Sequence, residues 1–150
     1  MSQIDPAIVQ QRLQHFQHVC RSQGLKITPQ RLEIFRELAA SNEHPSAEQL
    51  YERIRERMPT MSLDTVYRSL ATLSESGVVA KVEVLDERSR FDANTEHHHH
   101  FVCVRCHKVV DFSWPGFDQL SVPDEVKKMG KVQQPYAEIR GVCGDCLKKS

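Results

Sequence analysis

The sequence predicts an α+β fold in which a helical N-terminal half is followed by short strands held together by four cysteines. Three observations predict it. The first half carries apolar residues at helical spacing between capping and glycine signals. After Gly77 the helical period ends and the chain becomes rich in valine, as strands often are. Two Cys-x-x-Cys pairs, Cys103 with Cys106 and Cys143 with Cys146, supply four thiolates, the ligand set of a closed tetrahedral zinc site.

Length and charge limit the classes of protein. The 150 residues make one moderate domain or two small ones, and small domains bury little apolar surface without a staple. The formal net charge is +0 at pH 7, so any contact with nucleic acid must come from local geometry. The N-terminus is polar and no long apolar run follows, which predicts neither a signal peptide nor a membrane span. We therefore expect a cytoplasmic protein, in which paired cysteines indicate metal or redox chemistry.

Four helices are predicted in the first half, each from its own start or stop signal. The signals are a capping side chain before proline, a capping box and glycines at helix ends. Cys20, at helical spacing with apolar residues of the first helix, is expected to be a buried small hydrophobe. The helices cover residues 6–22 before Gly24, residues 29–40 after Thr28, a third from the box Ser46 to Gln49, and a fourth from Ser62 to Gly77.

A β-hairpin is predicted after the fourth helix. Val78 to Leu85 is rich in valine, Asp86 to Ser89 is a polar turn, and Arg90 to Ala93 forms a returning strand. Helices followed by such a hairpin form the winged helix-turn-helix pattern, with the fourth helix in the recognition position.

The predicted recognition helix has one apolar and one polar side. Val66 and Leu70 lie on the inner side, which leaves Arg68 facing outward and Tyr67 on the flank. Arg68 can therefore reach a DNA groove. The alternative is that Arg68 only pairs with Asp64, four residues earlier on the same exposed face.

The second half changes to metal ligands and short strands. The expected boundary separates a domain of residues 1–92 from one of residues 93–150. In an extended strand, His98 and His100 would share one face, and His97 and His99 the other. The predicted strands are residues 101–105, 108–113 and 136–142, with a helical segment broken at Pro123 before the last.

The chain carries six motifs in this order: Leu25 to Arg31, His44-Pro45, Ser62 to Arg68, Ser89 to Asp92, the His97 to His100 run, and the two Cys-x-x-Cys pairs. Together these motifs resemble the ferric uptake regulator family of bacterial metal-dependent repressors. They span nearly the whole chain. The resemblance implies a homodimeric transcriptional repressor, not an enzyme, with a winged-helix DNA-binding domain and an α/β dimerisation domain.

The resemblance also sorts the metal ligands. The four cysteines match a structural Zn(II) site, and a second set matches a regulatory site at the hinge between domains. The donors of the second set suit Fe(II), Mn(II), Co(II) or Zn(II). We expect Fe(II) or Mn(II) there. Each residue of the second set, taken alone, also fits a purely structural role. A further metal site of some members would involve His97, His99 and Asp118, but Pro135 stands where that site has another histidine. The regulatory set is His44, Asp92, His98, His100 and Asp111.

Aspartate at both carboxylate positions resembles the peroxide-sensing repressors of the family. In those members the histidines oxidised by peroxide match His44 and His98. The alternative is an iron-responsive or other metal-responsive repressor without peroxide sensing. The resemblance implies contacts with palindromic double-stranded operator DNA through Lys26, Tyr67 and Arg68.

Two other classes of protein fit the sequence less well. A zinc hydrolase or deaminase is disfavoured because the sequence lacks their histidine–glutamate motifs, and four thiolates leave zinc no open position for water. A zinc-stapled module that binds only protein would show no salt-sensitive DNA binding.

Overall fold

The structure is a computed structural model that describes residues 4–83 and 89–149. The chain divides into two compact units, one ending at Thr95 and the other starting at Glu96. The sequence places the boundary between separately folding domains slightly earlier, between residues 92 and 93, and that boundary stays a prediction.

Four helices form most of the N-terminal unit, and the last three start at the predicted caps. The Asp5 and Thr28 side chains accept hydrogen bonds from the backbone N–H groups of the first turns of α1 and α2. Ser46 and Gln49 form the full capping box of α3, and Ser62 caps α4. These contacts satisfy N–H groups that have no partner inside the helix. The helices are α1 (Pro6–Ser22), α2 (Pro29–Ala39), α3 (Ala47–Ile54) and α4 (Leu63–Glu75).

The apolar sides of these helices meet in one core. Phe16 of α1 stacks on Phe35 of α2 with ring centroids 4.4 Å apart. Leu38, Leu50 and Leu70 bring α2, α3 and α4 into the same cluster, each buried. Burial of each such side chain stabilises the fold by roughly 1.5–3 kcal/mol. The helical half thus has a core of its own.

A β-hairpin follows α4, as predicted. Strands β1 (Ala80–Glu83) and β2 (Ser89–Asp92) pair antiparallel. The Phe91 N–H donates to the Pro45 carbonyl at 3.0 Å, which ties β2 to the segment before α3. Most of the predicted turn, Asp86 to Ser89, and Leu85 lie outside the described residues. The packed helices and this wing form a winged helix-turn-helix, with α4 in the recognition position.

The C-terminal unit is built on a three-stranded sheet in the order β4-β3-β5. The β3–β4 pair is antiparallel and the β3–β5 pair is parallel. The strands begin and end at slightly different residues from those predicted, because pairing of the histidine segment with β4 and β5 starts β3 before Phe101. The elements are β3 (His99–Cys103), β4 (Val109–Phe112), α5 (Pro115–Asp118), α6 (Asp124–Met129), β5 (Glu138–Gly141) and α7 (Gly144–Lys148).

The C-terminal unit leaves large apolar side chains in solvent. Leu120, Met129 and Tyr136 are 66%, 74% and 64% exposed, and Ile139 of β5 is exposed too. Exposed apolar area of this kind often marks a surface that another molecule covers. In the part of the chain that the structure describes, no helix is both long and apolar enough to cross a membrane.

Candidate metal centres

The four cysteines of the two Cys-x-x-Cys pairs converge at one end of the sheet. The Sγ atoms of Cys103 and Cys146 are 3.8 Å apart, and those of Cys106 and Cys143 are 3.7 Å apart. Zinc bonded to four sulfurs at about 2.3 Å sets them about 3.8 Å apart along each edge of the tetrahedron. A disulfide would need about 2.05 Å. The spacing therefore fits a tetrahedral metal ion and not a disulfide.

Backbone geometry prepares one of the thiols for this role. The N–H groups of Cys106 and Cys143 point at Cys103 Sγ from 3.5 and 3.3 Å. These hydrogen bonds lower the pKa of Cys103 to about 5. The neighbouring thiol of Cys143, with burial, raises the pKa of Cys146 to about 12. Without a metal, the negative charge of one thiolate repels the charge of a second and so disfavours its ionisation. A bound divalent cation offsets this repulsion.

A second group of donors lies on one face of the β3–β4 pair. His98 Nε2 and His100 Nε2 are each 3.2 Å from Asp111 Oδ1, and the two Nε2 atoms are 3.0 Å apart. Two nitrogens bonded at right angles to one ion at about 2.1 Å are about 3.0 Å apart. The group fits a metal ion of the hard to borderline kind, for which imidazole and carboxylate are suitable ligands.

A backbone contact selects the nitrogen of His98 that can bind. Its Nδ1 lies within hydrogen-bond distance of the Glu96 carbonyl oxygen, which can only accept, so Nδ1 carries the proton. The Nε2 of the neutral ring then holds the lone pair toward His100 and Asp111. Fixing a ligating histidine through its other nitrogen is common at metal sites.

The N-terminal unit carries the other two predicted ligands. His44 Nε2 is 3.1 Å from Asp92 Oδ2, and both residues are buried, at 3% and 5% exposure. His44 has a φ of 53°, in the left-handed region that few non-glycine residues adopt. The next residue, Pro45, accepts the hydrogen bond from Phe91 on β2, beside Asp92. The loop and the wing therefore position this imidazole and this carboxylate together.

A third group of donors lies on the opposite face of β3. His97 Nε2 and His99 Nε2 are each 2.8 Å from the same Asp118 oxygen. The hydrogen bond from His97 is the main cause that lowers the pKa of Asp118. The four histidines, two before β3 and two at its start, thus alternate between Asp111 and Asp118.

The predicted DNA-contacting residues lie on the surface of the N-terminal unit. Lys26 is exposed in the segment before α2. Tyr67 and Arg68 are exposed on α4, where the Tyr67 hydroxyl donates to Glu48 and the Arg68 guanidinium pairs with Asp64. The pairing that was the alternative for Arg68 is therefore present in the structure.

One prediction outside the metal sites concerns Cys20. Cys20 is 1% exposed, as expected of a buried small hydrophobe, and burial raises the pKa of its thiol. The backbone partners of the histidines were not predicted. The Glu96 carbonyl and the Ala137 N–H carry no side-chain signal in the sequence, and only the pairing of β3 with β5 reveals the second.

A winged helix-turn-helix joined in sequence to a unit with a four-thiolate cluster defines a class of metal-binding, winged-helix proteins. Comparison with known proteins gives the family. Residues 22–133 match the Ferric uptake regulator family. The peroxide operon regulator of Bacillus subtilis (strain 168) is 40% identical over 126 residues, which are 84% of this chain and 87% of that protein. The chain belongs to the ferric uptake regulator family.

Solved structures agree with this assignment. The ferric uptake regulator of Helicobacter pylori, described as having three functional metal binding sites, matches with a TM-score of 0.73 at 26% identity, over 98% of this chain and 97% of that one. A zinc uptake regulator in complex with zinc and DNA matches with a TM-score of 0.68 at 26% identity, over 94% of this chain and 96% of that one.

Proposed function

We propose that this protein is a cytoplasmic, homodimeric, metal-dependent transcriptional repressor that releases its operator when peroxide oxidises it. The observation that carries the metal dependence is the convergence of His98 Nε2, His100 Nε2 and Asp111 Oδ1 within 3.2 Å. The likeness to the Bacillus subtilis peroxide operon regulator supports the peroxide signal. Aspartate at both carboxylate positions, Asp92 and Asp111, supports it as well.

The four cysteines are assigned to structural Zn(II). The spacing of their sulfurs suits zinc, and four thiolates fill its coordination sphere, so this ion has no open position for chemistry. Cys103 and Cys106 flank the turn after β3, whereas Cys143 and Cys146 belong to the start of α7. Zinc bound there would hold the C-terminal helix against the central strand.

The regulatory site is assigned to five side chains drawn from both units. An ion bonded to the ligands of the N-terminal unit and to those of the C-terminal unit would favour one arrangement of the two units. Metal binding would then act as a conformational switch. Bound Fe(II) would supply the electrons that reduce peroxide, whereas Mn(II), which reacts poorly with peroxide, would support repression without sensing. The five side chains are His44, Asp92, His98, His100 and Asp111.

The chain's own part in sensing is the placement of imidazoles. His98 is held by the Glu96 carbonyl with its Nε2 toward the other donors, and His44 is held by its backbone and Asp92. A side chain held close to the reduced oxygen species is the nearest target for it. We assign His98 and His44 as the oxidation targets, and oxidation of either ring removes a metal ligand.

DNA binding is assigned to α4 and the segment before α2. The likeness to a zinc uptake regulator solved with DNA supports this surface. Lys26 would enter a minor groove, Tyr67 would contact bases or sugar, and Arg68 a phosphate or a base edge. In a two-fold dimer, recognition helices about 34 Å apart match half-sites one turn apart, hence a palindromic operator. The exposed apolar residues of the C-terminal unit supply the dimer surface.

The test is operator binding by the Fe(II)-loaded and Mn(II)-loaded dimer before and after stoichiometric peroxide. We expect both forms to bind DNA and only the iron form to lose binding on oxidation. If peroxide leaves the iron form bound, and removal of iron alone releases DNA, the protein is an iron-responsive repressor. Operator binding that does not depend on metal would contradict both the peroxide-sensing and the iron-responsive function.

A further inference from the structure

The donors on the second face of β3, His97, His99 and Asp118, have the composition of a metal site. Two imidazoles and a carboxylate are suitable ligands for several divalent ions. The likeness to a regulator described as having three functional metal binding sites raises the question of a third ion here. Hydrogen bonding decides whether these atoms have lone pairs to offer.

His99 has both ring nitrogens engaged. The Ala137 N–H donates to His99 Nδ1 at 2.9 Å, so Nδ1 is an acceptor and carries no proton. A neutral imidazole has one N–H, which must then be on Nε2. That N–H donates to Asp118 Oδ1 at 2.8 Å. The nitrogen of His99 that faces the cluster therefore has no lone pair for a metal.

His97 completes the arrangement. An ionised carboxylate can only accept hydrogen bonds, so His97 Nε2, 2.8 Å from the same Asp118 oxygen, is also a donor. One oxygen thus accepts two N–H groups, and its two lone pairs are directed at protons.

Burial makes this arrangement of His99 hard to exchange. The ring is 0% exposed and is surrounded by Phe112, Trp114 and Phe117, whose centroids are 5.7, 6.4 and 5.0 Å away. A metal on Nε2 would move the proton to Nδ1, opposite the Ala137 N–H. Two donors would then face each other in an apolar pocket, which costs the hydrogen bond and leaves a buried N–H without a partner.

We infer that His97, His99 and Asp118 form a metal-free histidine–aspartate bridge that fixes α5 and the segment before β5 onto strand β3. His99 lies on β3, Asp118 ends α5, and Ala137 directly precedes β5, so one imidazole joins three segments. Pro135, near Ala137, brings no ligand atom to the cluster. The bridge does not depend on the proposed regulatory site, which lies on the other face of the strand.

The direct test reads the proton positions in the full-length protein. Two-bond ¹H–¹⁵N spectra of the imidazoles, recorded with increasing Zn(II), distinguish Nδ1–H, Nε2–H and metal-bound nitrogens. We expect His99 to remain a neutral Nε2–H ring at every zinc concentration, including excess. Loss of the Nε2 proton with a metal-bound signal at that nitrogen would overturn the inference.

Substitution gives a second, independent readout. Asp118→Asn has nearly the same size and keeps an amide oxygen that can accept the imidazole N–H groups, so the fold is retained. It removes the negative charge, which weakens both hydrogen bonds. We expect a lower melting temperature in protein that carries zinc only at the cysteines, with the zinc bound per chain at saturation unchanged. The matched variant Asp111→Asn, on the opposite face, should lower the zinc bound; this control alone rests on the proposed function.

Two results would contradict the bridge. Loss of about one zinc per chain in Asp118→Asn would show a metal site. An unchanged melting temperature together with unchanged zinc would show that the carboxylate fixes nothing. Either result leaves the proposed repressor function standing, because that function is tested by DNA binding.

Discussion

At the scale of single residues, side-chain partners decide which groups are ready to bind. The Arg68 guanidinium is 81% exposed and pairs with Asp64 one helical turn earlier. Exposed pairs of this kind contribute about 0–1 kcal/mol to stability, so DNA can replace the partner at little cost. The pairing and a role in DNA binding are therefore compatible.

The Arg68→Ala variant tests this role. We expect operator binding to weaken by roughly ten- to a hundredfold, in line with the loss of one specific arginine contact of about 1–3 kcal/mol. Metal content and melting temperature should stay unchanged. Arg55→Ala is the matched control, since Arg55 is also exposed and paired with a nearby glutamate, Glu52, but lies outside α4. Equal effects of both variants in a gel shift would argue against a specific contact.

At the scale of elements, the sequence predicted what local signals determine. The helix starts agree because caps such as Thr28 and Ser46 act within one turn. The start of β3 was placed too late because its pairing with β4 and β5 depends on residues far along the chain. The contacts of His99 with Asp118 and Ala137 could not be predicted from the sequence for the same reason. The alternation of side chains along a strand shows which residues share a face, but not which distant residues they contact.

The capping box of α3 gives a prediction about stability. Ser46 Oγ accepts from the Gln49 N–H at 3.3 Å, and Gln49 Oε1 accepts from the Ser46 N–H at 2.9 Å. We expect Ser46→Ala to lower the free energy of unfolding by about 1 kcal/mol, because one N–H of the first turn loses its partner. Chemical denaturation measures it. Ser22→Ala, at the end of α1, should have a smaller effect, and the reverse order would contradict the capping role.

The cysteine cluster gives a prediction about pH. Hydrogen bonds hold the pKa of Cys103 at about 5, whereas burial raises the pKa of Cys106 and neighbouring thiols raise that of Cys146 to about 12. At pH 7, Cys103 is therefore already a thiolate, and Cys106 and Cys146 keep protons that zinc must displace. We expect at least these two protons to be released per zinc, and zinc affinity to rise with pH.

Calorimetric titration in two buffers of different ionisation enthalpy counts those protons. Release of fewer than two at pH 7 would contradict the assigned order of ionisation. A substitution that removes one thiol, Cys103→Ser, is expected to abolish zinc binding and to unfold the protein or make it monomeric. A stable zinc-free dimer in ultracentrifugation would show that the ion is not a staple.

At the scale of the whole molecule, the proposed function requires two units, each of which would supply part of the ligand set. His44 and Asp92 are brought together by the loop before α3 and the wing, and His98, His100 and Asp111 by the sheet. The family resemblance predicted these five ligands from the sequence. The spacing alone predicted only that His98 and His100 share one face of a strand. The choice between peroxide and iron depends on the reactivity of the bound metal, and aspartate at positions 92 and 111 is the sequence feature that favours peroxide.

The most direct measurement is mass spectrometry of the histidine peptides after stoichiometric peroxide is added to the Fe(II)-loaded protein. We expect one added oxygen on His98 or His44 and none in the Mn(II)-loaded control. His97 and His99 are internal controls, because they are neighbours in sequence but lie on the other face of β3. Oxygen on His97 or His99 would contradict the placement of the regulatory ion, and no added oxygen at all would contradict peroxide sensing.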